Sequence, residues 1–404
     1  MKMKAVLPLV LPLLLAPALR AQEKTLHLAI GDPARKDKEA AVVLDGITDT
    51  RSGEVITPAE LPKRLAGVRL LLVGESHTDM DYHRCELRVL QELVRAGRAV
   101  VVGLEMYPYT EQRFLDDWVD GKLTEEAFLH DSRWYENWGY NWLYYRDVFL
   151  FARDHKLRIF AVNAPREVVT AVRKKGFKNL TPEEAAYIPA DIDTSSPEHR
   201  TLLKSFFETG GDSLHSAMND AQMDAMVAAQ STWDATMAFN AVKALKEHGG
   251  PDTVLAVLVG SGHVIYGLGI QRQAARHFDG RIATVVPVNV RDDEGHDVKT
   301  VQASYADFVW GLPAQADPIY PSLGLSSNPV EGEKALKVIL VSEKTPAEKA
   351  GVQVGDVIVS LDGTPVPDKE TLNRLVAGKR WGDEAVLVVK RGSETKEMRV
   401  ALRR

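Results

Sequence analysis

Cysteine is nearly missing. The 404 residues hold one, Cys85, so no disulfide can close within the chain and no cysteine cluster can hold a metal. Its position also removes any lipidation site near the amino terminus, and a lone thiol of this kind is expected to be buried and inert. A basic excess is missing as well. There are 50 Lys and Arg against 56 Asp and Glu, a formal net charge of -6, with no long run of like charge. That balance excludes a nucleic-acid surface, which needs clustered cations to neutralise phosphates. No apolar run reaches the roughly 20 residues of a spanning helix. The longest, Ala5 to Leu19, covers about 15 residues and is broken by Pro8, Pro12 and Pro17. With Lys2 and Lys4 before it and Arg20-Ala21-Gln22 after it, residues 1–21 read as a secretory signal cleaved near Ala18 or Ala21. An uncleaved anchor is the alternative. Solenoid repeats and low-complexity segments are also lacking.

What is there is an ordinary globular composition, 45% hydrophobic and 26% charged, on a chain long enough for two cores. Residues 22–60 read as a loose lead-in with short strands around Val42–Leu44 and Glu54–Ile56. Residues 61–290 carry short apolar runs at Val68–Val73, Ala99–Leu104, Leu157–Val162, Leu255–Val259 and Ile282–Val288, separated by helical patterns such as Tyr82–Ala96. Strands alternating with helices predict an α/β domain with a mostly parallel central sheet covered by helices. The methionines 218, 223, 226 and 237 of a long helical stretch read as core packing. Pro313, Pro318, Pro321 and Pro329 mark a linker assigned to 291–320, and 321–404 form a small β-rich module.

In open parallel sheets ligands bind beyond the carboxyl ends of the strands. Four such ends carry polar residues: Gly74-Glu75-Ser76-His77, Glu105, Asn163 with Arg166, and Gly260-Ser261-Gly262-His263. The repeated Gly-x-x-His step after a buried strand is the strongest internal signal, with glycine expected to permit a tight turn and close backbone approach. Two imidazoles and two carboxylates suffice for a divalent metal (His77, His263 and Glu105 as ligands) or for acid/base work by Glu75, His77, Glu105 and His263. Arg166 can clamp a carboxylate or phosphate, or neutralise Glu75 or Glu105. Mutual satisfaction of these groups without any ligand is the plainer alternative.

The segment Trp134 to Tyr145 is dense in aromatics. It reads equally as a wall for a ring ligand, with Tyr140 or Tyr144 as an iron ligand, or as a helix start packed on the core. The other histidines, among them His83, His130, His155, His199, His215 and His277, are expected at the surface.

Several of these segments together resemble the ChaN-like haem-binding uptake domain. They are Gly74-Glu75-Ser76-His77, Gly103-Leu104-Glu105-Met106, Asn163 to Val169, Gln230 to Ala238, and Gly260-Ser261-Gly262-His263. The resemblance covers about Leu61 to Val288 and extends to the wider Tiki and erythromycin-esterase-like superfamily. It implies haem or iron handling at a bacterial cell envelope. It equally implies metal-dependent or acid/base hydrolysis, as in hydrolytic members, with Glu75, His77, Glu105 and His263 as the inherited site. Members of the ChaN group are often lipoproteins, and this chain lacks the lipidation cysteine.

At the carboxyl end, Ser322-Leu323-Gly324-Leu325 resembles the carboxylate-binding loop of PDZ domains, and Thr345 to Gly363 resembles the bacterial protease-type PDZ core. That likeness implies a groove where a peptide adds a strand and its terminal carboxylate meets backbone N–H groups. The whole reads as an exported protein, periplasmic or envelope-associated, with haem or a divalent metal (manganese, zinc or iron) as cofactor. Its expected partners are protein C-termini, haem, and a second copy in a homodimer. A metal-dependent hydrolase or peptidase with PDZ-presented substrates is the competing reading, and an inert scaffold the third.

Overall fold

The computed structural model describes residues 25–208, 219–292, 295–314 and 317–403, so the expected signal segment, His215 and Met218 lie outside the described residues. Among the described residues no helix is long and apolar enough to cross a membrane. The chain divides into two units. One comprises the described residues up to Ser132 and Leu143–Asp317, the other Arg133–Trp142 with Pro318–Arg404.

The first unit has ten strands: β1 (Glu39–Ala41), β2 (Ile47–Asp49), β3 (Val55–Ile56), β4 (Val68–Glu75), β5 (Val100–Pro108), β6 (Ile159–Asn163), β7 (Val254–Gly260), β8 (Arg281–Asn289), β9 (Thr300–Gln302) and β10 (Phe308–Leu312). Eight form one sheet in the order β3-β2-β10-β8-β4-β7-β5-β6, and β1 pairs with β9 alone. From β10 to β6 all neighbours are parallel, whereas β2 and β3 add antiparallel pairs at one edge. The continuous Val, Leu and Ala run of β7 is buried at every position, as a strand covered on both faces must be.

The sheet is wider than the five strands expected. Residues 22–60 are no loose lead-in, because β2 and β3 extend the sheet. The stretch 291–320 is no plain linker, because β10 pairs in parallel with β8. A buried carboxylate ties the two additions together. Asp307 accepts from the Thr284 N–H at 3.0 Å and pairs with Arg35 at 3.1 Å, while Arg35 also donates to the Ala306 carbonyl at 3.1 Å. Alternation is a weak guide to such strands because they are only two to five residues long.

Three helices matter for the site: α1 (Met80–Arg95), α2 (Arg166–Lys175) and α3 (Asp220–His248). Asp79 caps α1 by accepting from the Asp81 N–H at 2.9 Å. The buried face of α1 repeats at Tyr82, Glu86, Val89 and Leu93, and His83 and Cys85 share it. Met223, Met226 and Met237 of α3 are buried core residues.

In the second unit an antiparallel sheet runs β11 (Leu325–Pro329), β12 (Leu336–Val341), β13 (Val357–Leu361), β15 (Glu384–Arg391) and β16 (Glu394–Ala401), with β14 (Thr364–Pro365) pairing β13. Strand β11 pairs only with β12, leaving one edge open among the described residues. Helix α4 (Lys369–Ala377) accompanies this sheet. The aromatic segment groups here up to Trp142, with Tyr144 and Tyr145 in the first unit: the Glu136 N–H donates to Glu370 at 2.8 Å, and Asn373 donates to the Tyr135 carbonyl at 2.8 Å.

Candidate functional site

Strand β7 lies between β4 and β5, although it comes after both in the chain. Three carboxyl ends therefore meet side by side. Glu75, the last residue of β4, sits opposite Gly260, the last of β7. On the other flank, Glu105 of β5 accepts the Gly260 N–H at 2.7 Å. A Cβ at Gly260 would stand 3.1 Å from His77 Cε1 and 3.5 Å from both His77 Nε2 and Glu105 Oε2. At Gly74 it would stand 2.8 Å from Ser261 Oγ. Neither glycine has positive φ, so both serve close approach rather than turn conformation.

His77 Nδ1 lies 2.6 Å from Glu75 Oε1. The Glu75 side chain is wholly buried, whereas that of His77 is 27% exposed. Burial disfavours the imidazolium of His77, yet the adjacent Glu75 carboxylate outweighs it and holds the pKa above the usual value. Glu75 itself is pulled down to about 2. Burial opposes this, and the charges of His83 and His77 overcome it. The Tyr145 hydroxyl donates to Glu75 Oε1 at 3.2 Å.

His263 is held from two sides. Its Nδ1 lies 2.6 Å from Asp234 Oδ1, and its Nε2 lies 3.3 Å from Glu105 Oε1. Burial works against its charged form, but Glu105 and then Asp234 raise its pKa to about 10. Glu105 is lowered in return, against its own burial, chiefly by His263. Gln230, one turn before Asp234 on α3, contacts His263 Nδ1 at 2.8 Å. Beyond Asp234, His199 Nε2 stands 3.5 Å from Asp234 Oδ2, and burial lowers the His199 pKa.

The strand-end residues expected from the sequence thus gather: Glu75, His77, Glu105 and His263 share one rim. Asn163 supports it by donating to the Glu105 carbonyl at 2.8 Å. Arg166 is exposed in the first turn of α2, while Glu75 and Glu105 take histidine partners. Tyr144 is buried, with its ring 5.6 Å from that of His83, whereas Tyr140 falls in the other unit beside Trp138. Trp134, Trp142, Tyr144 and Tyr145 are all buried, as packing residues are.

His83 and His199 are buried, not surface residues, which corrects the expectation drawn from their polar neighbours. His83 Nδ1 faces Glu86 Oε2 at 2.9 Å and Glu75 Oε2 at 3.1 Å. In the sequence Glu86 has no role and His83 is placed at the surface, while Gln230 and Asp234 enter only within the Gln230–Ala238 segment of the family resemblance. The available signals were the i,i+3 spacing of His83 and Glu86 and the polar run Gln230–Asp234 inside an otherwise apolar helix. Among the described residues, the His/Asp/Glu set whose ligand atoms all lie within 4.8 Å of one another is Glu75, His83 and Glu86.

A family model described as haem-binding uptake, Tiki superfamily, ChaN matches residues 61–273, and a PDZ domain model matches residues 321–402. Among curated proteins, a probable periplasmic serine endoprotease DegP-like of Ectopseudomonas mendocina is 42% identical over 65 residues, 16% of this chain and 14% of that protein. A probable CtpA-like serine protease of Staphylococcus haemolyticus is 34% identical over 80 residues, 19% of this chain and 16% of that one. The chain therefore spans only a small part of the curated relatives it matches. Among solved structures, one of cofacial heme binding to ChaN of Campylobacter jejuni has 20% identity, covering 65% of this chain and 95% of that chain at a TM-score of 0.49.

The electrostatics set a pH dependence. A histidine with a raised folded pKa contributes stability in full below its unfolded value of 6.5, and that contribution is lost as pH climbs toward about 10. Glu105, held below 4.5, contributes stability that is lost as pH falls beneath that value. Denaturant midpoints of the full chain are expected to fall between pH 6.5 and 10, more shallowly in His263→Gln. Parallel pH profiles for the two proteins would contradict the assignment.

Proposed function

The chain belongs to the haem-binding uptake family of the Tiki superfamily, the ChaN group, and carries a PDZ domain at its carboxyl end; from this premise we propose that it is an exported haem-binding protein whose PDZ groove docks peptide C-termini. The observation that carries the reading is the meeting of two imidazole–carboxylate pairs around Gly260. Donor chemistry at the rim fits haem iron. With Nδ1 engaged by the buried Glu75, the imidazole of His77 is oriented and made more basic, and it is the more exposed of the two rim histidines. His77 would hold the iron, and Arg166 would meet a haem carboxylate. Bound haem supplies the iron and the macrocycle. The chain supplies orientation through Glu75 and a fixed rim through Glu105 and His263. The tyrosine route remains through Tyr140 and Tyr144, of which Tyr144 is buried.

Titration of the purified full chain with hemin is expected to give a saturable Soret shift at fixed stoichiometry. His77→Ala should weaken it by tenfold or more on the scale usual for ligand and supporting residues, roughly 10–100-fold. Loss in Tyr140→Phe or Tyr144→Phe, with His77→Ala unaffected, would transfer the ligand role to tyrosine. No stoichiometric uptake by the wild type would end the haem reading.

For the second module, the open edge of β11 beside the Ser322-Leu323-Gly324-Leu325 loop supports strand addition by a peptide. Fluorescent peptides with a free terminal carboxylate are expected to bind, and the same peptides amidated to bind at least tenfold more weakly. Equal affinity would exclude carboxylate capture.

A second reading, metal-dependent hydrolysis, has one observation in its favour. The Asp234–His263–Glu105 string holds an imidazole between two carboxylates, as an oriented acid/base group requires. Here Glu75 or Glu105 would take a proton from water. Ester and peptide hydrolysis in added manganese, zinc or cobalt should then fall more than a hundredfold in His263→Ala, on the scale of about 10²–10⁴ for general acid/base groups. Activity indifferent to that change would refute it.

A further inference from the structure

Behind the rim, α1 brings His83 and Glu86 to the end of β4, where they meet Glu75, and neither the haem reading nor the hydrolytic one uses these two helix residues. His83 Nε2 lies 3.3 Å from the His77 carbonyl oxygen. A carbonyl only accepts, so Nε2 carries the hydrogen and Nδ1 is the nitrogen turned to the carboxylates. That nitrogen meets Glu86 Oε2 at 2.9 Å and Glu75 Oε2 at 3.1 Å, with all three side chains at most 2% exposed. One nitrogen with at most one hydrogen cannot serve two carboxylates well. The remaining oxygen of Glu86 is buried and has no hydrogen-bond partner, and Glu75 Oε2 has none beyond its ion pair with His83. Burial of such a group without a partner costs on the order of 1–3 kcal/mol or more.

We propose that Glu75, His83 and Glu86 bind one divalent transition cation, of zinc type, as a closed structural site. The Nε2–H···O=C contact of His83 is the arrangement by which metal-bound imidazoles are held in one tautomer. Ligands sharing a tetrahedral ion at about 2.0–2.1 Å stand roughly 3.3 Å apart, close to the 3.1 and 2.9 Å from His83 Nδ1 to Glu75 and Glu86, and all three ligand atoms lie within 4.8 Å of one another. Nδ1 and one oxygen of each carboxylate make three donors. The second oxygen of Glu86, buried and otherwise unpartnered, can chelate with the first rather than take a separate tetrahedral corner. The charge balances: two carboxylates neutralise the cation, and any protons on His83 and Glu86 pass to solvent as it enters. Glu75 is steadied by Tyr145 and His77, and His83 packs edge-on against Tyr145 with ring centroids 4.4 Å apart. A nitrogen with two or three carboxylate oxygens suits zinc, manganese or iron(II) rather than copper(I) or calcium. Full enclosure matches a structural ion acquired during folding, not an open catalytic one. The site does not depend on haem binding.

Metal analysis of the full chain, unfolded and refolded in zinc chloride or cobalt chloride and then freed of loose ion by dialysis, is expected to give one equivalent. The equivalent should persist in His263→Ala and be lost, or weakened roughly 100-fold or more, in Glu86→Gln that remains folded by circular dichroism. Wild-type protein reconstituted with cobalt chloride offers a measurement that no variant can spoil, since paramagnetic NMR should display one shifted imidazole N–H, from a single histidine. A folded wild type that takes up no zinc or cobalt would overturn the site. So would zinc binding unchanged in Glu86→Gln, or two shifted imidazole signals, which would move the ion to His77 and His263.

Discussion

The position of Gly260 governs the candidate site. Strand β7 enters the sheet between two strands laid down earlier in the chain, and its last residue has no side chain. Glu105 reaches across to accept its N–H, and the His77 imidazole lies over its Cα from the other side. Any larger residue would separate the two flanks. The parallel pairing of β4, β7 and β5 thus has a chemical result, because it holds a carboxylate of one strand and an imidazole just past another against a single backbone atom pair.

Burial makes this arrangement self-enforcing. Glu75 and Glu105 are carboxylates within the end of a sheet, where an isolated charge is very unfavourable. Each is tolerated because a histidine faces it, and each histidine's pKa is raised for the same reason. Removing one member of a pair leaves the other uncompensated, so function and stability are coupled through the same side chains. Asp234 extends this coupling to α3, and His83 with Glu86 extends it to α1.

The strand-end residues were legible because a short apolar run ending in Gly-x-x-His marks both the strand and the turn that caps it. Glu75, His77, Glu105 and His263 were found that way, and the PDZ module by its glycine-punctuated core. Residues borne by helices are legible only in part, Gln230 and Asp234 through the segment that carries the family resemblance, His83 and Glu86 not at all. His83, Glu86, Gln230 and Asp234 sit on buried helical faces, and amphipathic periodicity assigns polar positions to solvent. Only the three-dimensional meeting of α1 and α3 with the strand ends shows their partners. Of the outer strands, β3 matches the short strand expected around Glu54–Ile56, whereas β2 and β10 are not legible because so few residues carry no period and their pairing is fixed by contacts far apart in the chain.

The Arg35–Asp307 pair has a further consequence for where this protein can be cut. The family match begins at residue 61, yet a fragment starting there would lack Arg35, β2 and β3. Asp307 would keep its place beside Thr284 without the Arg35 and Arg51 guanidiniums that pair with it, and β10 would keep β8 but lose β2. Such a fragment would present an unpaired sheet margin to other copies and self-associate. The sheet these contacts close reaches beyond residues 61–273 at both ends.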